Sequence, residues 1–203
     1  MTKTLANANH WLNIDPELQF IDPLPVDLLH YWEGKRRDRL MPMRRDIDPV
    51  RLKVHRGNLA LIDVEYGPLR LRYRLIGTTI TQTLGRDMTG RYLDEIYPPN
   101  ILADAITAYM WTTENQKPLR FFGNARYANK SMVEFEAVNL PLSEDGSRVN
   151  IWFRPNWFSG STNRKGALSR IVSAGKTAAF HYIRRVPLLS YRFSCHIWKV
   201  AHA

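Results

Sequence analysis

The sequence predicts an α+β fold in which a five-stranded antiparallel sheet carries a helical crossover and an N-terminal capping helix. Two short alternating stretches, residues 59–65 and 70–76, come first. A helical segment follows at residues 78–116, and three more alternating stretches come after it. With 44% hydrophobic residues in a chain of 203, one packed domain is expected.

The N-terminal part is interpreted as a lead-in followed by a helix. Residues 1–24 are polar, contain prolines and lack the apolar run of a secretory signal. An apolar stripe at helical spacing predicts an amphipathic helix over residues 25–37. Its members are Val26, Leu28, Leu29 and Trp32. Farther on, Asp48-Pro49 is a typical helix start and predicts a short helix over residues 50–56.

Charge matching predicts the register of the first two strands. A turn at Gly67-Pro68 sets opposite charges across from each other on one face and apolar residues across from each other on the other. The predicted pairs are Glu65–Arg70, Asp63–Arg72, Val64–Leu71 and Ile62–Tyr73. A slip by one residue would set charges against apolar side chains, so the register is well specified.

The second half of the domain is predicted from its periodicity and turns. A longer helix is expected over residues 101–115, with three strands after it at residues 118–126, 131–141 and 148–154. The turns are expected at Ala128-Asn129 and Glu144-Asp145-Gly146.

Three sequence boxes carry a family resemblance. They are Tyr31-Trp32, Asp46-Ile47-Asp48-Pro49, and Gly85 through Arg91 with Leu93-Asp94-Glu95. In these boxes residues 25–155 resemble a bacterial PAS-like domain family of the PAS sensor superfamily, although Met88 stands where the family more often has an aliphatic residue. The resemblance implies a PAS-like sheet with strand order 2-1-5-4-3 and a general role in sensing or interaction.

No enzyme signature is present in the sequence. It has no Gly-rich phosphate loop and no G-x-S-x-G elbow, and its six histidines lack zinc-site spacing. The Asp94/Glu95 pair is interpreted as bonded to backbone N–H groups or paired with arginines, since no base or nucleophile accompanies it. We therefore expect a non-catalytic protein.

The cofactor stays unknown. Haem-binding PAS members use a histidine on the long helix, and residues 101–115 contain none. Photosensory members attach their chromophore through a cysteine of the domain, and the single Cys195 lies outside it. One cysteine also favours a reducing cytoplasm.

Aromatic residues of the predicted inner face are the candidates for a small-molecule pocket. The Ala128-Asn129 turn predicts Phe122 opposite Phe135. The candidate set is Tyr73, Tyr92, Tyr109, Phe122, Phe135 and Phe153. The alternative is a filled core without a cavity, in which the tyrosine hydroxyls need partners.

An apolar patch is predicted on the outer face, where Val138 and Trp152 share parity with Glu136 and Arg154. The candidates for an interface are Leu28, Leu29, Trp32, Val138 and Trp152. Two interpretations stay open: the helix of residues 25–37 caps this patch within one chain, or the patch is a dimer or partner contact.

The charge of the chain is uneven. Residues 1–145 hold 19 basic and 19 acidic residues, whereas residues 146–203 hold 10 basic and no acidic ones. Residues 159–203 are interpreted as a basic C-terminal tail that binds nucleic acid, an acidic lipid surface or a partner protein, or that has no selected role, for example after a shifted reading frame.

These observations predict a cytoplasmic sensory or regulatory PAS-like module over residues 25–158. We expect it to bind a small ligand or a protein partner, which includes a second copy of itself. The alternative function is binding of nucleic acid or an anionic membrane surface through the tail.

Overall fold

A computed structural model describes residues 11–159 of the chain. The strands are β1 (Leu12–Asp15), β2 (Leu59–Glu65), β3 (Arg70–Ile76), β4 (Leu119–Ala125), β5 (Lys130–Leu142) and β6 (Ile151–Ser159). The helices are α1 (Pro23–Arg36), α2 (Thr78–Leu84), α3 (Leu93–Ile96) and α4 (Pro99–Asn115). Short 3-10 turns lie at Arg44–Asp46, Lys53–Asn58 and Arg126–Ala128. Apart from Ser159, the predicted tail lies outside the described residues.

The sheet is antiparallel and six-stranded, in the order β1-β4-β5-β6-β2-β3. The predicted strand count and order were therefore wrong, because β1 adds an edge strand beside β4. The five predicted strands keep the neighbours that the prediction gave them. β1 lies in the segment interpreted as a lead-in, where Leu12 pairs with Gly123. A Cβ atom at Gly123 would collide with the Trp11 carbonyl oxygen, so a glycine is what lets β1 approach this closely.

The first hairpin has the predicted register. All four expected pairs occur: Glu65–Arg70, Asp63–Arg72, Val64–Leu71 and Ile62–Tyr73. The apolar members are buried, with Ile62 0% and Leu71 1% exposed. On the other side, Asp63 is held by Arg72 at 2.9 Å and Arg74 at 2.6 Å. The prediction of an ion-paired face and an apolar face is confirmed.

Helix α1 begins where its sequence provides a cap. The Asp22 carboxylate accepts a hydrogen bond from the Leu24 backbone N–H at 3.0 Å. Near the other end, the Trp32 indole N–H donates to the Pro141 carbonyl at 2.8 Å and fixes the helix on β5. The short helix expected over residues 50–56 is absent as an α-helix; Asp48 caps a turn through the Val50 N–H, and the 3-10 turn Lys53–Asn58 follows. This segment is too short to repay helix nucleation.

The sheet separates two buried layers. We call the side covered by α4 the crossover face; it includes Phe121, Phe135 and Trp152, and the Tyr109 ring of α4 stacks on Trp152 with centroids 4.5 Å apart. We call the other side the α1 face; there, Glu136 accepts the N–H of Asp22, the cap of α1, at 2.8 Å.

Candidate ligand-binding site

Two predicted aromatic partners lie on opposite sides of the sheet. Phe122 pairs with Glu136 on the α1 face, whereas Phe135 pairs with Gly123 on the crossover face. The predicted pairing of Phe122 with Phe135 was therefore wrong. The reason is a β-bulge-like irregularity between Asn124 and Ala125. It shifts the β4–β5 register away from the one that a two-residue turn at Ala128-Asn129 would give.

The last hairpin also differs in parity from the prediction. Phe153 pairs with Leu140 and lies on the α1 face, so it does not join Tyr73 as expected. Trp152 lies on the crossover face, so the predicted shared outer face of Val138 and Trp152 was wrong. The Ser143 and Asp145 side chains organise a loop over residues 143–150 that is longer than the predicted turn.

The interface candidates are used within one chain in this structure. Four of them have 2% or less of their surface exposed: Leu28, Trp32, Val138 and Trp152. The fifth, Leu29, is 8% exposed. A role for any of them in a dimer or partner contact stays a prediction.

Tyr92 lies at the edge of the first hairpin, where its backbone forms a bridge with Arg72. Its hydroxyl donates to the Glu65 carboxylate at 3.1 Å, and this hydrogen bond is the main cause of its raised pKa. The Arg70 guanidinium lies 3.6 Å from its ring centroid. These contacts explain its position without a ligand.

The crossover face gathers a cluster of phenols around one arginine. Tyr73 of β3 and Tyr97, which follows α3, share a hydrogen bond of 3.0 Å between their hydroxyls. Arg154 of β6 donates through Nη1 to the Tyr109 hydroxyl of α4 at 2.6 Å. Tyr127 completes the group, with its ring 5.4 Å from that of Tyr97. Sequence reasoning found Tyr73 and Tyr109 and missed the other three.

The cluster lies in a poorly solvated environment. Burial raises the pKa of Tyr97, Tyr109 and Tyr127 above the ordinary tyrosine value of 10.0. Burial also acts to lower the pKa of Arg154, but attraction to the surrounding tyrosine oxygens outweighs it, so that pKa lies above its ordinary value. At neutral pH the cluster is therefore a cation among neutral phenols.

Several buried polar atoms of this face have no hydrogen-bond partner among the described residues. They are Arg154 Nε, Trp152 Nε1 and both amide atoms of Asn139. The β5–β6 register sets Asn139 across from Arg154, and Trp152 is two residues farther on the same face. Leaving such a group unsatisfied costs about 1–3 kcal/mol, so their clustering is typical of a site that bonds something other than the chain itself.

Arg154 also lacks an acidic partner. Within residues 11–159 no carboxylate forms an ion pair with it, and its charge contacts only the Tyr109 hydroxyl and the Phe121 ring, 5.5 Å away. A partly buried cation without a counter-ion favours an acceptor-rich or anionic ligand. The described residues include no group of three or more His, Cys, Asp or Glu that could hold a metal ion.

Arg120 on the α1 face provides the contrast. It is 0% exposed and meets Glu136 at 2.6 Å and Asp15 at 3.1 Å. Its guanidinium also lies 4.2 Å from the Phe122 ring centroid. Because β1 supplies Asp15, this cluster binds the edge strand to the sheet and has its charges compensated from within the chain.

Comparison with known proteins identifies the domain. A family model described as "PAS domain" matches residues 23–152, well over half of the chain. No curated protein and no solved structure matched. Among the described residues, no helix has the length and apolar character needed to cross a membrane.

Proposed function

Because the chain belongs to the PAS domain family, we propose that it is a non-catalytic sensory or regulatory module that binds a small molecule on the crossover face. Family membership supports the regulatory role. The ligand is supported by one observation, the cluster of buried polar atoms without partners around Arg154. The single cysteine of the sequence supports placing the protein in the cytoplasm.

The residues of this face define the chemistry of the proposed ligand. Arg154 and Trp152 offer N–H donors, and Asn139 offers both a donor and an acceptor. The surrounding surface is aromatic, from Tyr73, Tyr109 and others. A small aromatic or aliphatic acid, or a flat molecule with several carbonyl groups, would satisfy the donors and pack against the rings.

Binding has a direct route to the surface of the domain through α4. Arg154 currently bonds to Tyr109, which lies on α4 and stacks on Trp152. A ligand acceptor that takes the Arg154 N–H groups changes this link and shifts the position of α4 relative to the sheet. The signal then leaves by protein contact, since binding energy that differs between two states shifts their populations.

Native mass spectrometry of the full chain tests this proposal. We expect the purified protein to carry a small molecule that is lost on denaturation. The variants Arg154→Met and Asn139→Leu should lose it, whereas the exposed control Arg126→Met should retain it. Equal retention by all four proteins, or no bound ligand and no thermal shift with a library of small acids, would contradict the proposal.

A second function is supported by the charge of the sequence alone. The excess of 10 basic over no acidic residues after position 145 favours binding of nucleic acid or acidic lipid through the tail. The full chain and a chain of residues 1–158 would be compared for binding single-stranded DNA and acidic vesicles. Only the full chain should bind, with an affinity that falls steeply with salt; equal weak binding by both would remove this function.

A further inference from the structure

A pocket lies on the surface, between the last turns of α1 and the segment that follows. Its volume is about 600 Å³, which is within the range of small-molecule sites. It is separate from the crossover face, and its walls carry the cationic side chains of Lys35, Arg37, Arg39 and Arg51. Asp46 is its only acidic lining residue.

The one acidic group of this pocket is already paired. The Asp46 carboxylate bonds to the Arg39 guanidinium at 2.6 Å and to the Met43 backbone N–H at 2.8 Å. Arg39 also donates to the Lys35 carbonyl at 2.8 Å and the Arg36 carbonyl at 3.2 Å. Arg39 thus covers two of the carbonyl groups that end α1 and that would repel an anion.

Three cations remain without an ion pair among the described residues: Lys35, Arg37 and Arg51. The Lys35 ammonium lies 5.5 Å from the Tyr31 ring centroid, which also lines the pocket. Like charges held near each other repel, and an anion between them relieves that repulsion. Arginine adds bidentate geometry for phosphate oxygens.

Gly34 lines the pocket and contributes no side chain to it. It lies inside α1, where glycine is among the poorest helix formers, and its position is exposed. A Cβ atom built there meets no other atom within 4 Å, so no packing neighbour requires a glycine. The missing side chain instead leaves room for a ligand between the cations.

We propose that this pocket binds a small molecule that carries a diphosphate or longer phosphate chain. The uncompensated cations bind the phosphate oxygens, and the space over Gly34 admits them. This site is independent of the proposed ligand on the crossover face, because the two share no residue.

Calorimetric titration of the full-length protein with inorganic pyrophosphate tests the proposal. We expect saturable binding at one site per chain that weakens about tenfold or more in the double variant Arg37→Gln/Arg51→Gln, as loss of charge-assisted hydrogen bonds implies. The matched double control Lys117→Gln/Arg126→Gln removes the same charge from exposed positions elsewhere and should bind like the unmodified protein. Because every variant keeps the basic tail, a difference between them reports on the pocket.

Substitutions at Gly34 separate shape from charge. Gly34→Leu should fold and abolish pyrophosphate binding by filling the pocket, whereas Gly34→Ala should fold and retain most of it. Equal binding by the unmodified protein and Gly34→Leu would overturn the proposal. So would binding to oligonucleotides or acidic vesicles without any saturable binding of pyrophosphate.

Discussion

Arg120 and Arg154 are two inward-pointing arginines on opposite faces of one sheet, and their surroundings differ. Arg120 has two carboxylates within 3.1 Å, from Glu136 and Asp15. Arg154 has one phenol within hydrogen-bond distance and, among the described residues, no carboxylate. Each arginine has one buried nitrogen without a hydrogen-bond partner within residues 11–159, Nη2 in Arg120 and Nε in Arg154. The two therefore differ in whether carboxylates neutralise their charge, not in whether every N–H donor is bonded.

This difference distinguishes a structural cluster from a site prepared for a ligand. A buried ion pair that is complete within the chain becomes strongly destabilising when one member is removed, because the other is left uncompensated. A partly buried cation such as Arg154, without a carboxylate partner, has little ion-pair energy to lose. The same substitution at the two positions should therefore have unequal effects.

The largest effect is expected for Arg120→Met. It leaves Glu136 buried without its guanidinium partner and releases Asp15 of β1, so the free energy of unfolding should fall by about 3–5 kcal/mol. Urea unfolding measures this loss. A control, Glu17→Ala, alters an exposed carboxylate near β1 and should change stability by about 0.5 kcal/mol or less. Equal stability of Arg120→Met and the unmodified protein would remove the distinction between the two faces.

The next effect is a dependence on alkaline pH that comes from the crossover face. Tyr97, Tyr109 and Tyr127 have raised pKa values in the folded state, so their contribution to stability is complete below pH 10 and is lost as the pH rises through their folded values. Above pH 10 each should reduce the free energy of unfolding by about 1.4 kcal/mol per pH unit.

Urea unfolding between pH 8 and 11 provides the measurement. Tyr127→Phe keeps the ring contacts with Trp11 and Tyr97 and removes one ionisable group, so it should make the alkaline loss shallower. A loss of the same steepness in Tyr127→Phe would show that the pKa of this phenol is not raised in the folded state.

A smaller effect is expected for Gly85→Val, at the C-terminal end of α2. Gly85 ends α2 with φ of 75°, in the left-handed region that favours glycine. Gly85→Val should lower stability by about 1–3 kcal/mol through backbone strain, since a Cβ atom would meet only Lys130 Cε at 3.8 Å. Gly34→Ala, in a normal helical conformation, should keep or raise the melting temperature; a fall in both variants would point to some cause other than the sign of φ.

The smallest effect is expected for Arg154→Met. It loses the bond to Tyr109 but also removes a partly buried charge that lacks a carboxylate, so the net change without ligand should be about 1 kcal/mol or less. Thermal unfolding without ligand measures it directly against Arg120→Met. A loss as large as that of Arg120→Met would mean that Arg154 is a structural group and would weaken the proposed ligand site.

The sequence predicted the fold best where charges on both partners fix a register. In the first hairpin, Asp63 and Glu65 face arginines, and a slip by one residue would set these charges against apolar side chains. The last hairpin has no such matching charges on its two strands, and its register depends on the hydrogen bonds that Ser143 and Asp145 form inside the loop. Strand β1 was missed because four residues are too few to show alternation.

The candidate site was predicted only in part for the same reason. The parity error in the last hairpin placed Arg154 outside and Phe153 inside, the reverse of what the structure shows. One signal was available: Arg154 lies within the apolar run IWFRPNWF, and no acidic residue follows position 145. A lone arginine in an apolar strand indicates either an acidic partner elsewhere in the fold or a ligand. Tyr97 and Tyr127 sit at element ends, where periodicity gives no guide.

Residues 90–92 cover the outer edge of β3, and this affects how other chains can pair with the sheet. The Tyr73 backbone carbonyl accepts a hydrogen bond from the Gly90 N–H at 2.6 Å, and the Tyr73 backbone N–H donates to the Arg91 carbonyl at 3.0 Å. Arg72 forms a β-bridge with Tyr92. A peptide that extended the sheet at this margin would have to displace residues 90–92 first. Arg70, Arg72 and Arg74 also place a charge at every second position of the strand. Both features oppose strand addition by another molecule, which is the common route by which exposed sheet margins start aggregation.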